Sequence, residues 1–199
     1  METGSLTIAA VEEYATVENL GRLVNEGDVV LLCLDNHATR KLVGDHCRSR
    51  RDVCLVSGGN DDVGEDGSGR FQRGTFGNVQ NHLRRDGVDR TPPLDAFPPE
   101  IASPRDALPG DVSCTEALLT VPQILFTNLA TASAMLNAFS LHVSEALSYP
   151  ELCFDVAEGL MRPIALPGVR LLKEAGSGEP SAAARVRRRP MSPAAGEPG

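Results

Sequence analysis

The sequence predicts an α/β fold: a mainly parallel sheet with flanking helices, a C-terminal antiparallel hairpin and a disordered tail. Three observations predict it. Asp28–Leu34 and Asp52–Ser57 are continuous apolar runs, too short for core helices and rich in Val, Leu and Cys. Between them, His37–Arg50 places Leu42, Val43, His46 and Cys47 at helical spacing on one face, with Arg40, Lys41, Asp45 and Arg48 mostly elsewhere. Residues 28–57 therefore make one strand, helix, strand unit of the usual length, about 30 residues. Continuous rather than alternating hydrophobicity implies that both faces of these strands are covered, as in a parallel sheet between helices.

The remaining elements follow along the chain. Leu6–Val11 is read as a further short strand. Thr16 can cap a short helix whose Leu20, Leu23 and Val24 face the sheet, and Gly27 can end it. The Gly- and Asp-rich stretch 61–69 is expected to be a surface loop. Gly74–Leu83 reads as a half-exposed antiparallel strand. From Asp86 to Asp111 six prolines forbid helix interior and central strand alike, so a long irregular loop is expected. Pro122 suits the first turn of a helix running to about Leu147. That helix carries Ile124, Leu125, Leu129, Ala132, Leu136, Phe139 and Val143 along one side. Its small residues Ala130, Ala132, Ser133 and Ala134 are expected to let it lie close to the sheet. Glu151–Val156 and Leu160–Ala165 read as a hairpin, and Pro163 assigns its second strand to an edge.

Composition narrows the classes of function. The 199 residues hold 19 Lys or Arg against 27 Asp or Glu, a formal net charge of -8, which argues against a folded body that binds nucleic acid. No run approaches the roughly 20 apolar residues of a spanning helix, so no membrane is expected. Met1–Ala10 has neither a basic start nor a long apolar stretch, so no signal peptide is expected and the cytoplasm is the expected location. Five cysteines, Cys33, Cys47, Cys54, Cys114 and Cys153, make an odd count without a Cys-x-x-Cys pair, which favours reduced thiols over a disulfide framework or a zinc ribbon. Four of them sit in apolar runs and are expected in the core; Cys114 follows the Pro-rich stretch. From Lys173 to Gly199, 17 of 27 residues are Gly, Pro, Ala or Ser, too little apolar surface to offset ordering entropy. The domain expected to fold thus spans 1–172, and 173–199 is expected to be a disordered tail.

In open α/β sheets ligands bind beyond the carboxyl ends of the strands. Asp35, Asn36 and His37 stand there after the first strand, and Ser57–Asp61 after the second. Asp35 has two readings: a helix cap together with Asn36, or a carboxylate that holds a hard cation beside a phosphate. Arg40, one turn on, could pair with Asp35 or reach a phosphate. His37, His46, His82 and His142 show no diagnostic spacing, and a Cys114–His82 hydrolytic pair is an open but unsupported arrangement.

The segment Asp28-Val-Val-Leu-Leu-Cys-Leu-Asp35-Asn36-His-Ala-Thr39-Arg40-Lys-Leu-Val resembles the strand, Asp-Asn and Thr-Arg signature of the ThiF/MoeB/HesA group, the E1-like activating enzymes. The long element from Pro122 resembles the helix after that family's crossover loop, here 86–111, and the resemblance covers about residues 6–165. It implies a truncated, partial Rossmann-like domain that uses ATP and Mg²⁺ to adenylate the C-terminal carboxylate of a ubiquitin-like or sulfur-carrier protein. By the same resemblance Asp35 is the metal-side carboxylate, Asn36 and Arg40 are supporting ATP-binding residues, and Cys114 is a sulfur-transfer or thioester nucleophile. A homodimer is implied as well. The family's glycine-rich ATP loop is missing: no Gly-x-Gly-x-x-Gly occurs, and 27 residues precede Asp28. A complementing N-terminal half, a non-catalytic interaction module and a generic Rossmann-type nucleotide-binding protein are the alternatives.

Overall fold

The structure, a computed structural model, describes residues 7–65, 69–96, 98–109 and 123–164. In chain order the elements are α1 (Leu20–Leu23), β1 (Val29–Leu32), α2 (His37–Arg48), β2 (Val53–Asn60), β3 (Val63–Glu65), β4 (Phe71–Arg73), β5 (Phe76–Arg85), β6 (Val88–Asp89), a 3₁₀ turn (Leu94–Ala96), α3 (Pro99–Ala102), α4 (Leu125–Val143), β7 (Glu151–Asp155) and β8 (Leu160–Ile164). The main sheet among the described residues runs β1-β2-β5-β7-β8, with β6 paired to the far end of β5.

The fold is mixed α/β, and one expectation about it is corrected. Only β1 and β2 run parallel, with Val29 opposite Cys54 and Leu32 opposite Ser57; the other pairings in the described sheets are antiparallel. Residues Val53 to Gly58 of β2 are all buried because helices cover both faces of that strand. Two-sided cover produces an unbroken apolar run whatever the direction of the neighbouring strand, so the run alone did not specify a mainly parallel sheet. The hairpin at the C-terminal end is as expected, β7 pairing β8 with Pro163 in the outer strand.

One face of the sheet is closed. Leu20, Val24, Leu32, Val43, Cys47, Val53, Leu55, Leu94 and Ile101 form a buried cluster beneath α1, α2, the 3₁₀ turn and α3. Leu94 and Ile101 come from the Pro-rich stretch, which is therefore not wholly irregular but packs on the sheet through the 3₁₀ turn and α3. Its prolines occupy positions that need no N–H: Pro98 caps α3, Pro99 opens it, and the Pro93 carbonyl accepts from Ala96 N at 3.0 Å. The other face carries α4 over Cys54, Val56, Val79, Leu152 and Phe154.

Several local expectations differ from the structure. Residues 7–11 form no strand and Ile8 is exposed, since no neighbouring strand pairs with them. Stretch 61–69 contributes β3, which pairs with β4. β1 is an edge strand whose Val29 and Leu31 are 36% and 40% exposed, so its apolar run is covered on one face only. In α4 the buried side chains are Thr127, Thr131, Ala134, Met135 and Ala138, while the large apolar row faces outward. Close approach explains this orientation. Gly58 lies under this helix, where an added Cβ would run into Met135 Sδ and meet Thr131 Cγ2 at 2.7 Å. The Thr127 hydroxyl donates to the Gly74 carbonyl at 2.7 Å. Four of the five inward residues are Thr or Ala, Met135 fills the space over Gly58, and the Leu and Phe row is turned away.

Candidate functional site

Where β1 and β2 end, the sheet and α4 leave a cleft of about 240 Å³ lined by Cys33, Asp35, Gly58, Asn60, Gln123 and Asn128, among others. Asp35 stands exposed at its mouth. The Gln123 amide nitrogen bridges two carboxylates: it donates to Asp35 Oδ2 at 2.6 Å and to Asp62 Oδ1 at 3.2 Å. Asn128 Nδ2 donates to Gln123 Oε1 at 3.3 Å and fixes which way that amide points. Desolvation at the sheet end, then the charge of Asp62, hold the Asp35 carboxyl above the usual carboxylate range against the pull of Arg40, Gln123 and His37.

Asn36 has a structural role. Its Oδ1 accepts from Thr39 N at 2.7 Å and from the Thr39 hydroxyl at 2.8 Å, an N-cap of α2. Its amide donates to the Ala107 carbonyl at 2.8 Å. The next free donors of the helix, His37 N and Ala38 N, are taken by the Asp106 carboxylate at 2.5 and 3.2 Å. An aspartate of the Pro-rich segment thus occupies the place where a helix N-terminus receives phosphate.

Arg40, expected mostly off the apolar face of α2, is buried. Its guanidinium donates to the Gly58 carbonyl and fits only because Gly59 lacks a side chain; a Cβ there would lie 2.6 Å from Nη2. The consecutive glycines serve opposite faces of β2, Gly58 admitting α4 and Gly59 admitting Arg40. Arg40 makes no salt bridge to Asp35 and acts on it through space. Burial lowers its own pKa, opposed by Asp35. Gly58–Asn60, expected to form a loop after the second strand, belong to β2, and the Ser57 side chain is wholly buried.

Cys114 lies outside the described residues. Cys47 and Cys54 are buried as expected, and desolvation pushes their thiols up to about 12 and about 11. Cys153 is partly exposed, and its thiol is also pushed up to about 12, chiefly by desolvation. Cys33 corrects the core expectation: it is exposed on the cleft wall, 3.9 Å from Met135 Sδ, because β1 is an edge. His82 is fully buried and bonded to Asp89 at 2.9 Å, which removes it from any hydrolytic pair with a solvent-facing thiol.

The residues that the sequence did not single out are Gln123, Asp62 and Asp106. Gln123 and Asp106 reach the signature region across 88 and 69 positions of chain, and Asp62 is tied to Gln123 across 61, so no local spacing marks them. Among the described residues no group of three or more His, Cys, Asp or Glu is placed to hold a metal, and no helix is long and apolar enough to cross a membrane. No protein-family model matches the chain, and no curated protein matches it.

Proposed function

We propose that this chain is the cation-holding portion of a ThiF-like, E1-like adenylyltransferase, with a partial Rossmann-like sheet. It would bind Mg²⁺ with ATP, act on a ubiquitin-like or sulfur-carrier protein in the cytoplasm, and need a complementing half for turnover. The observation that carries the reading is the Asp35–Gln123–Asp62 arrangement at the carboxyl ends of the parallel pair β1 and β2. Mg²⁺ is held by one or two carboxylates plus phosphate and water oxygens, so a pair of hard oxygen donors fits it without a full protein cage. Burial and then the charge of Asp62 raise the Asp35 pKa, and a bound cation would offset the second of these.

The phosphates of ATP fit less well. The first N–H groups of α2 are satisfied by Asp106 and Asn36, and the described chain offers no glycine-rich loop. In this reading, Mg²⁺ with ATP supplies the α-phosphorus that a substrate carboxylate attacks, with pyrophosphate leaving. The chain's own part is limited to Asp35 as metal-side carboxylate and Gln123 as the group that aims it, with Asn36 shaping the helix start and Arg40 holding β2 against α2. Cys114 as acceptor of the activated product rests on the resemblance alone.

The test is ATP–pyrophosphate exchange with a candidate ubiquitin-like protein, run with the glycine-rich half supplied as preceding sequence or as a second polypeptide. Exchange that disappears in D35N supports the proposal, and no exchange under those conditions refutes it. A second reading, a non-catalytic ThiF-like interaction module, is favoured by the Asp106 carboxylate at the α2 N-terminus. It predicts no thermal shift of this chain with ATP and Mg²⁺ and retained binding of a ubiquitin-like tail.

A further inference from the structure

Two sulfurs meet on the inner wall of the cleft. Cys33, which follows β1, donates its thiol hydrogen to the thioether of Met135 in α4, with Sγ and Sδ 3.9 Å apart. Both residues line the cleft, but they differ in access: Cys33 is exposed, and Met135 is only 3% exposed. The Met135 sulfur is seated firmly, because it lies in the space that Gly58 leaves by having no side chain, with Thr131 beside it. A cysteine at the end of an edge strand and a methionine of the covering helix are thus brought together across 102 positions of chain. On the same wall, Asn128 has a buried side-chain oxygen with no hydrogen-bond partner among the described residues.

We propose that Cys33 and Met135 bind a soft monovalent cation, Cu(I). Thiolate and thioether sulfurs are the ligands that select this ion over harder cations. Two sulfurs each about 2.3 Å from one ion stand 3.9 Å apart when the angle between the bonds is about 116°, close to trigonal. The pair therefore accepts the ion where it stands. A structural zinc site needs four ligands, and among the described residues no group of three or more His, Cys, Asp or Glu is placed to hold a metal. On binding, the Cys33 S–H bond is replaced by an Sγ–Cu bond and the proton leaves to solvent, while Met135 Sδ donates a lone pair. No electron is transferred, and the thiolate and the ion neutralise one another. The third trigonal position is left to the cleft of about 240 Å³, where a small thiol fits and the Asn128 oxygen is an acceptor for a protic ligand. The site uses neither carboxylate assigned to Mg²⁺, so it does not depend on that reading.

X-ray absorption on the full, reduced chain, labelled with selenomethionine and loaded under nitrogen with less than an equivalent of Cu(I), reads the ion's surroundings without any substitution. One selenium and at least one sulfur are expected in the copper shell, the sulfur at about 2.3 Å. The selenium should vanish in labelled M135L, a swap that keeps side-chain volume. Competition with bathocuproine disulfonate gives the affinity. It should fall in C33S, which alters an exposed residue, and in M135L, each by at least about tenfold, the least that losing even a supporting residue costs a metal site. A copper shell without selenium overturns the proposal, and so does selenium that persists in M135L. An affinity indifferent to C33S overturns it as well, since the ion would then sit on other thiols of the chain.

Discussion

The two faces of the sheet are built differently. On one, α1, α2, the 3₁₀ turn and α3 enclose Leu20, Val43, Leu55, Leu94 and Ile101 almost completely. On the other, one long helix covers β2 and β5 and leaves Val29, Leu31 and its own large side chains in solvent. Burial of apolar surface is the main stabilising contribution, at about 25 cal/mol per Å². Both faces therefore stabilise the fold, and the half-open one also carries the cleft. Asp35, Gln123 and Cys33 all belong to the open side.

The largest expected effect contrasts core residues with outward ones. Leu55→Ala and Ile101→Ala remove wholly buried side chains and should each cost about 2–5 kcal/mol in urea denaturation. Leu31→Ala, from the exposed edge, should cost well under half as much. Equal losses at the two places would abolish the distinction between the faces.

This division was partly legible in the sequence. The apolar runs located β1 and β2, helical spacing located α2, and Pro163 marked β8 as the outer strand. What could not be read was which side of α4 faces the sheet. Periodicity placed the Leu and Phe row along one side without fixing its direction; the row that faces the sheet is Thr127, Thr131, Ala134, Met135 and Ala138, with Gly58 leaving room for Thr131 and Met135. The site was legible at Asp35, which follows β1 as expected. Asn36 and Arg40 were located correctly in the chain, but their bonds to Thr39 and Gly58 make them a cap and a strand-to-helix tie. Gln123 and Asp62 reach the site only through tertiary folding.

The consecutive glycines sharpen the comparison, since they meet opposite faces. Gly58→Ala presses on Thr131, whose hydroxyl is held by the Thr127 carbonyl at 2.9 Å, and should cost about 1–3 kcal/mol. Gly59→Ala displaces a buried guanidinium from its carbonyl and should cost a similar amount. Only the first should loosen α4, which hydrogen exchange of the Ala134 and Ala138 amides would register. Loosening of α4 by both substitutions would show that Arg40 and α4 are not separately accommodated.

Charge gives two further contrasts. Burial alone raises the pKa of Asp89, but bonds from His82 and Arg84, at 2.9 and 2.7 Å, bring it below the usual carboxylate range. A depressed folded pKa contributes stability above the unfolded value and loses it as pH falls through the folded one. Asp89→Asn should therefore cost about 1–2 kcal/mol at pH 7, and the difference from the native chain should shrink in acid.

Asp35 should behave in the opposite sense. Its folded pKa is raised, so between the unfolded and folded values the native state binds more protons than the unfolded chain, and stability falls as pH rises through that window. Above that window the ionised carboxylate faces Asp62, so Asp35→Asn should there raise the thermal midpoint slightly rather than lower it, with the gain vanishing below the ordinary carboxylate pKa. Asn keeps a side-chain oxygen to accept from Gln123, so the substitution leaves that bond in place. Addition of Mg²⁺ should narrow the gap between the two chains above that window, because a cation relieves in the native protein the repulsion that the substitution removes. A midpoint lowered by Asp35→Asn at every pH would mean that this carboxylate serves the fold like Asp89, and the open face would then carry no group held in readiness for a ligand.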